Sequence, residues 1–483
     1  MTDGADRSSR VGLVLGPVLF LVVLLAPAQE LDSSSRLVAG AVLWMAAWWV
    51  TEAAPLAITA LLPLVLFPVL GVREVSRVAP NYSHHMVFLF LGGFVLALAV
   101  ERSGLHRRIA LAVVAALGSS PRRLVWGFMI ATAMLSMWLS NTATTLMMLP
   151  IAGGVTGRLN DPRAATRVFL AVAYGASVGG IGTLVGTPPN LVLAGMAPNL
   201  VPGITPLGFG RWMLFGVPYV LVLLPLVGLI LGRGLERGGG GREAGVAAER
   251  RELGPMRPAE RRAGALFLLT ALAWVFRADM ELGGLVVPGW ERLLPGRELS
   301  DAVPAIAAAI AAALLPSGEG GGRRLLSWDE IRHGVPWGVL LLFGGGFAIA
   351  DGVRASGLDG WLATSLEGLA SLPLPLTVLA LCLIATSATE LTSNTATATL
   401  LMPVMAAVAA VLGVHPYLVM VPAIVSSSCA FMLPVATPPN AIVIGSGRVS
   451  ARDLFREGVW LNLVAAVVTT VMVLTWGRLV LPM

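Results

Sequence analysis

SNTATTLMMLP, residues 140–150, sits inside a long apolar run, and SNTATATLLMP, residues 393–403, writes the same polar phrase inside another. The Ser, Asn and Thr side chains of both phrases carry groups that donate and accept hydrogen bonds. In an apolar medium such groups, and any backbone they interrupt, cost several kcal/mol if left unpaired, so they must line a protein cavity. The segments holding them, 122–157 and 372–412, are each long enough for two half-depth helices joined by a polar tip, a re-entrant hairpin.

The medium follows from composition. The chain has 483 residues, 56% hydrophobic and 12% charged, about half the charge of an ordinary soluble protein. Stretches such as 37–70, 212–231 and 461–476 approach or exceed the roughly 20 residues that cross a bilayer. This is a polytopic, all-α membrane protein. Its 33 basic residues are all arginine and the net charge is +6; basic loops on the cytoplasmic side account for that balance without a nucleic-acid partner. Cys382 and Cys429 lie in apolar sequence and suggest neither a disulfide nor a metal site. No Ser–His–Asp arrangement or metal-ligand cluster points to an enzyme. Arg7 and Arg10, an apolar run and APAQ at 26–29 imitate a cleavable signal; an uncleaved first helix is favoured because the rest of the chain is itself membrane-inserted.

Spans are expected near 11–28, 36–52, 55–70, 85–103, 168–198, 211–232, 263–278, 300–315, 335–352, 416–445 and 458–478. With the hairpins, that makes about eleven transmembrane helices. The two halves correspond. FLGGF ending at Phe94 and FGGGF ending at Phe347 are 347 − 94 = 253 apart, as are Ser140 and Ser393; GTPPN at 186–190 and ATPPN at 436–440 are 250 apart. Five crossings per repeat is odd, so the repeats are inverted, an architecture common in secondary transporters. An inside N-terminus and an outside C-terminus put the arginine-rich linker, residues 232–262, in the cytoplasm together with most other arginines. Arg73, Arg277, Arg292 and six others fall outside as exceptions.

Two consecutive prolines should unwind each TPPN helix and free carbonyls near Gly186 and Ala436. Helix N-termini attract anions, while carbonyl and hydroxyl oxygens suit a hard monovalent cation. Small polar residues in membrane helices often only pack. Two copies, each followed by Pro-Pro-Asn after 47 and 44 residues (187 − 140 and 437 − 393), favour one central site. Glu390 is an acid in apolar sequence and a functional flag; it reads as tuning a sodium site, with proton coupling the sharper alternative. Glu52 in WWVTEAAP reads as capping or pairing at a break. The five histidines fall near span ends.

At these residues, with WWVTEAAPLAITALLPLVLFPVLGV at 48–72 and SSCAFMLPVATPPNAIV at 427–443, the chain resembles the divalent anion/sodium symporter family, the INDY-like dicarboxylate, citrate and sulfate carriers. The resemblance implies eleven helices and two re-entrant hairpins, a homodimer in the cell (inner) membrane, and an elevator mechanism. Residues 1–121 and 261–371 would form a dimerising scaffold, 122–232 and 372–483 the transport domain, and 233–260 a linker. One sodium ion would meet Ser136, Ser140, Asn141 and Gly186; a second would meet Thr389, Ser393, Asn394 and Ala436. Substrate would meet Asn141, Thr142, Asn394 and Thr395, with Thr187, Thr437 and Pro438 closing the pocket.

A C4-dicarboxylate such as succinate, fumarate or malate is the first expectation. Sulfate or citrate carriage, sodium-independent exchange and proton coupling are the alternatives. Charge favours sodium: residues 124–157 contain no Arg, Lys or His, and residues 356–446 contain only His415. A divalent anion there needs mobile cations, and two related sites imply at least two.

Overall fold

The structure, a computed structural model, describes residues 2–26, 31–118, 120–157, 161–235, 249–282, 285–297 and 299–483. Residues 27–29 of the small-residue stretch, Arg158, and residues 236–248 of the linker lie outside the described residues.

Apolar sequence folds as helix throughout, and the sequence punctuation sets the ends. Asp32 Oδ1 accepts from Ser35 N (2.7 Å) and starts helix Ser33–Thr51. Glu52 stops that helix in the left-handed region (φ 49°), its N–H donating to Trp48 O. It is the one non-glycine residue with positive φ among the described residues, so it does cap, through its backbone. The span expected at 55–70 is broken into Leu56–Thr59 and Leu62–Val69. Pro63 has no N–H to return to the preceding turn, and Tyr82 Oη donates to the freed Ala60 carbonyl (2.5 Å).

By length and composition, six helices of the described residues can cross a bilayer: Val75–Ser103, Phe209–Leu231, Trp337–Ser356, Leu374–Leu391, Asn394–Leu412 and Ala451–Val480. The only strands among the described residues, Met280–Leu282 and Leu285–Val287, form an antiparallel ribbon with Met280 opposite Val287. A helix at Leu105–Leu117, unread in the sequence, follows Gly104 (φ 84°).

Both hairpins form. The first is Pro121–Ser136 with Asn141–Thr156; the second is Leu374–Leu391 with Asn394–Leu412. Their arms have 16, 16, 18 and 19 residues, about 24–28 Å at 1.5 Å per residue. That exceeds the half-depth expectation. Apolar sequence carries the second arm of each hairpin on to Gly157, through Gly153 and Gly154, and to Gly413 (φ 60°).

The TPPN words break their helices as expected, giving Pro162–Gly180 with Pro188–Leu200 and Tyr417–Ser427 with Pro438–Gly445. Each break leaves carbonyls that no helix satisfies. The asparagine of the same word serves them. Asn190 Nδ2 donates to Gly180 O (3.1 Å) and Thr183 O (2.7 Å). Asn440 Nδ2 donates to Ala430 O (3.0 Å) and Leu433 O (3.0 Å). These acceptors are again 250 residues apart.

The first hairpin lies backbone-to-backbone on Pro162–Gly180. A Cβ on Gly179 would stand 2.3 Å from Ala133 O, and one on Gly175 2.7 Å from Met129 O. Small residues four apart allow that approach between membrane helices. In the other repeat, Leu374–Leu391 packs on Tyr417–Ser427 and Ala451–Met472, while Pro188–Leu200 crosses to Asn394–Leu412. Separately, His85–Ser103 packs on Ala302–Leu314 and Pro258–Val275.

Two outcomes test this packing by thermal unfolding of the detergent-purified protein. Gly179→Val should destabilise by about 1–3 kcal/mol or more, because the clash is with main chain rather than a movable side chain. Asn190→Ala and Asn440→Ala should each cost roughly 1–3 kcal/mol, since each strands buried carbonyls.

Candidate functional site

A cavity of about 1280 Å³ lies where the two hairpin tips meet the two helix breaks. Its wall holds Ser140, Asn141 and Thr142 from the first tip and Ser393, Asn394 and Thr395 from the second. Gly186 and Thr187 line it from one break, and Ala436, Thr437 and Pro438 from the other. Of the thirteen residues expected to meet sodium or substrate, only Ser136 and Thr389 stand behind the wall. Each touches its tip asparagine: Ser136 Oγ lies 2.8 Å from Asn141 Oδ1, and Thr389 Oγ1 lies 2.8 Å from Asn394 Oδ1. The two contacts are equivalent under the repeat.

Helix ends dominate the electrostatics. Four helices begin at this cavity, Asn141–Thr156, Pro188–Leu200, Asn394–Leu412 and Pro438–Gly445, with N-caps Ser140, Thr187, Ser393 and Thr437. Ser140 Oγ accepts from Ala143 N (3.2 Å). The hydroxyls of Thr187, Ser393 and Thr437 make no capping bond. At the two proline-led ends the first N–H groups are missing, so the threonine hydroxyls are the donors there. At the hairpin tips the backbone N–H groups remain. Four other helices end nearby and turn carbonyls toward the same region: Pro121–Ser136, Pro162–Gly180, Leu374–Leu391 and Tyr417–Ser427. Positive and negative dipole ends are therefore equal in number.

The first tip concentrates oxygen. One end of the Asn141 amide lies 2.8 Å from Ser136 Oγ, 3.1 Å from Ala176 O and 3.3 Å from Gly186 O. Turned nitrogen-in, the amide donates to all three. Turned oxygen-in, it accepts from Ser136 and joins a cluster of oxygens. Gly186 has no room for a side chain: a Cβ would stand 2.4 Å from Gly180 O. At the second tip, Thr389 Oγ1 is also within 2.7 Å of Ser427 O.

Sequence reading missed the ties behind the wall. Thr183 Oγ1 donates to Met137 O and accepts from Gly186 N (3.2 Å), pinning the first break to its hairpin. Glu390, only 4% exposed, pins the second. It accepts from Phe431 N (2.7 Å), Met432 N (2.9 Å), Leu433 N (2.8 Å) and Asn462 Nδ2 (2.7 Å). The asparagine in each TPPN word was visible as part of a repeat and could have been recognised as the partner of the carbonyls that the prolines free. The cavity also reaches Thr51, Glu52, Glu101 and Pro336 at its far end. Glu52 and Glu101 make no ion pair among the described residues. Arginines expected as exceptions to the arginine rule are partly neutralised: Arg73 pairs with Asp351 (2.7 Å), Arg277 with Asp301 (2.6 Å) and Glu291 (2.7 Å), and Arg292 with Asp279 (2.6 Å).

Comparison with known proteins identifies the family. The model of the sodium:sulfate symporter transmembrane region matches residues 7–483. The sodium-dependent dicarboxylate transporter SdcS of Staphylococcus saprophyticus is 38% identical over 481 residues, spanning 96% of this chain and 90% of that protein. SdcS of Staphylococcus aureus matches equally, at 38% over the same shares. Among solved structures, the YdaH transporter of Alcanivorax borkumensis superposes with a TM-score of 0.57 at 16% identity, covering 84% of this chain and 88% of that one. MtrF of Neisseria gonorrhoeae gives 0.57 at 13% identity, covering 83% of each. Those two likenesses concern fold alone. With the family match running through both tips and both breaks, the chain belongs to the sodium:sulfate symporter family, a family of transporters and not of enzymes.

Proposed function

We propose that this protein couples inward sodium movement to uptake of a divalent anion, foremost a C4-dicarboxylate, by an elevator movement of a transport domain within a homodimer. The observation that carries the reading is the convergence of two hydroxyl- and amide-bearing hairpin tips and two broken helices on one cavity. The dicarboxylate assignment draws on the 38% identical relatives, which are named for it. Sulfate is the second reading, since the family description names it.

Anion and cation divide the helix ends between them. Substrate carboxylates take the N–H groups and side chains of Asn141, Thr142, Asn394 and Thr395, with Thr187, Thr437 and Pro438 completing the wall. Sodium takes the oxygen side: Ser136, Ser140, Asn141 and Gly186 for one ion; Thr389, Ser393, Asn394 and Ala436 for the other. An Asn141 amide turned oxygen-in gives the first ion a ready set of oxygens. Each tip asparagine then joins ion to substrate, so neither binds well alone. As many helices end here as begin, so their dipoles cancel to first order. No arginine or histidine lines the cavity among the described residues, and sodium must offset the dianion.

Residues 1–121 and 261–371 serve as scaffold and 122–232 with 372–483 as the moving part, joined through 233–260. The linking helices Leu105–Leu117 and Leu358–Ser365 each follow a left-handed glycine, Gly104 (φ 84°) and Gly357 (φ 76°), 253 residues apart. Such a residue lets the chain reverse sharply between rigid helices. With the N-terminus inside, the far end of the cavity at Thr51, Glu101 and Pro336 faces the cytoplasm, the release side.

Labelled succinate uptake into vesicles, with sodium or choline outside, tests the reading. Uptake should require sodium and rise sigmoidally with it; equal uptake in choline replaces symport by exchange. Unlabelled sulfate that abolishes succinate uptake at a concentration equal to that of succinate would favour the second substrate. Asn141→Ala and Asn394→Ala should each remove nearly all uptake, the loss of a buried partner being worth roughly 1–3 kcal/mol or more. For the topology, cysteines placed at Gly320 and Met483 should label from opposite sides of the membrane, Gly320 from the inside.

A further inference from the structure

The two halves of the site are matched in their ligands and differ in one charge. Glu390 stands 253 residues after Met137, so the first repeat has an apolar side chain where the second has an acid. The surrounding ties differ in the same sense. The first break is held by neutral groups, the Thr183 hydroxyl and Trp212 Nε1, which donates to Ile181 O (2.9 Å). The second is held by the Glu390 carboxylate, itself backed by Asn462, which stands 462 − 212 = 250 residues after Trp212, the offset of the TPPN words. All four partners of Glu390 are N–H donors. Oε1 accepts three of these N–H groups and Oε2 the fourth, a donor set that suits the acceptor-only oxygens of a carboxylate. No arginine or histidine pairs with it among the described residues.

We infer that Glu390 makes the two sodium sites unequal: its fixed charge raises the sodium affinity of the site at Thr389, Asn394 and Ala436, which fills first and forms the half-site that substrate and the other ion complete. The inference rests on the sodium-coupled reading above. Glu390 acts as a positioning and electrostatic residue, since its oxygens are spent on the loop. It follows Thr389 directly in the chain, with consecutive Cα atoms 3.8 Å apart. It also holds Leu433 N, whose carbonyl accepts from Ala436 N (3.4 Å). A charge this close, in a medium of effective dielectric near 20, changes cation affinity by about tenfold or more. The same charge repels a dianion, so its removal should not weaken substrate binding once sodium saturates.

The test uses full-length protein, in proteoliposomes for uptake and in detergent for sodium-dependent thermal stabilisation, which needs no transport. Glu390→Gln should raise the half-saturating sodium concentration about tenfold in both, while the succinate KM at saturating sodium stays level or falls. Because the amide presents a donor to the loop, Glu390→Gln/Asn462→Asp is the companion variant. It returns the charge one side chain away and restores their mutual hydrogen bond, so sodium affinity should recover. An unchanged sodium response in Glu390→Gln overturns the inference. So does a higher succinate KM and lower maximal rate without a change in sodium response, which is the signature of a purely structural tie. A double variant no better than the single one overturns it too. If the unaltered protein is not stabilised by sodium at all, the coupling reading itself falls and takes this inference with it.

Discussion

A backbone group inside a bilayer has no water to turn to, and the architecture around this site is a response to that constraint. The chain breaks helices at two places and reverses at two others, all where one cavity forms. Each break exposes carbonyls and N–H groups whose desolvation would cost several kcal/mol apiece. The protein answers with dedicated side chains. Asn190 and Asn440 take the carbonyls; Thr183 and Glu390 take the N–H groups. With those satisfied, the groups still facing the cavity are the ones a ligand can use. Structural and transport chemistry are thus separated by a single layer of side chains.

Much of this was legible because polar words in apolar text carry so much information. The SNT and TPPN repeats gave the hairpins, the breaks and their common destination, and eleven of the thirteen residues singled out do line the cavity. What was not legible is tertiary. Ser136 and Thr389 sit one layer back, at a distance that only the folded hairpin defines. Three of the four donors to Glu390 are main-chain groups of residues 431–433, invisible in any side-chain pattern. The break near Ala60 was missed because Pro63 lies in sequence hydrophobic enough to read as one span, and the tyrosine that repairs it is 22 residues away. Arm length was misjudged for a simpler reason: a polar tip marks where a helix starts, and nothing in the apolar sequence that follows marks its end, the first helix running on through Gly153 and Gly154.

Repeat symmetry then has an energetic meaning. Equivalent tips bring equal numbers of N-termini and C-termini together, so the helix dipoles create separate zones for anion and cation without a net charge of their own. An asymmetric departure from that pattern stands out against it. Glycine dominates the first repeat's contacts, where Gly175, Gly179, Gly180 and Gly186 let main chains touch. At the positions 250 residues on, the second repeat has Val425, Cys429, Ala430 and Ala436. The first break is therefore packed through several glycines, whereas the second keeps one such main-chain contact, Gly458 against Phe431 and Met432, and adds a buried carboxylate.

That difference bears on how such a site can move. A break packed on main chain has few alternative arrangements, because a Cβ-sized displacement meets backbone on the other side. The second break is equally well satisfied, with three of its N–H groups held by one carboxylate and two of its carbonyls by Asn440. Rigid-body motion of the whole assembly keeps both sets of bonds intact, whereas opening one tip alone would have to strand either the Gly186 N–H or a buried charge. Both costs fall in a water-poor interior. The same layer of side chains that makes the breaks tolerable thus favours moving the site as a unit over prying it apart.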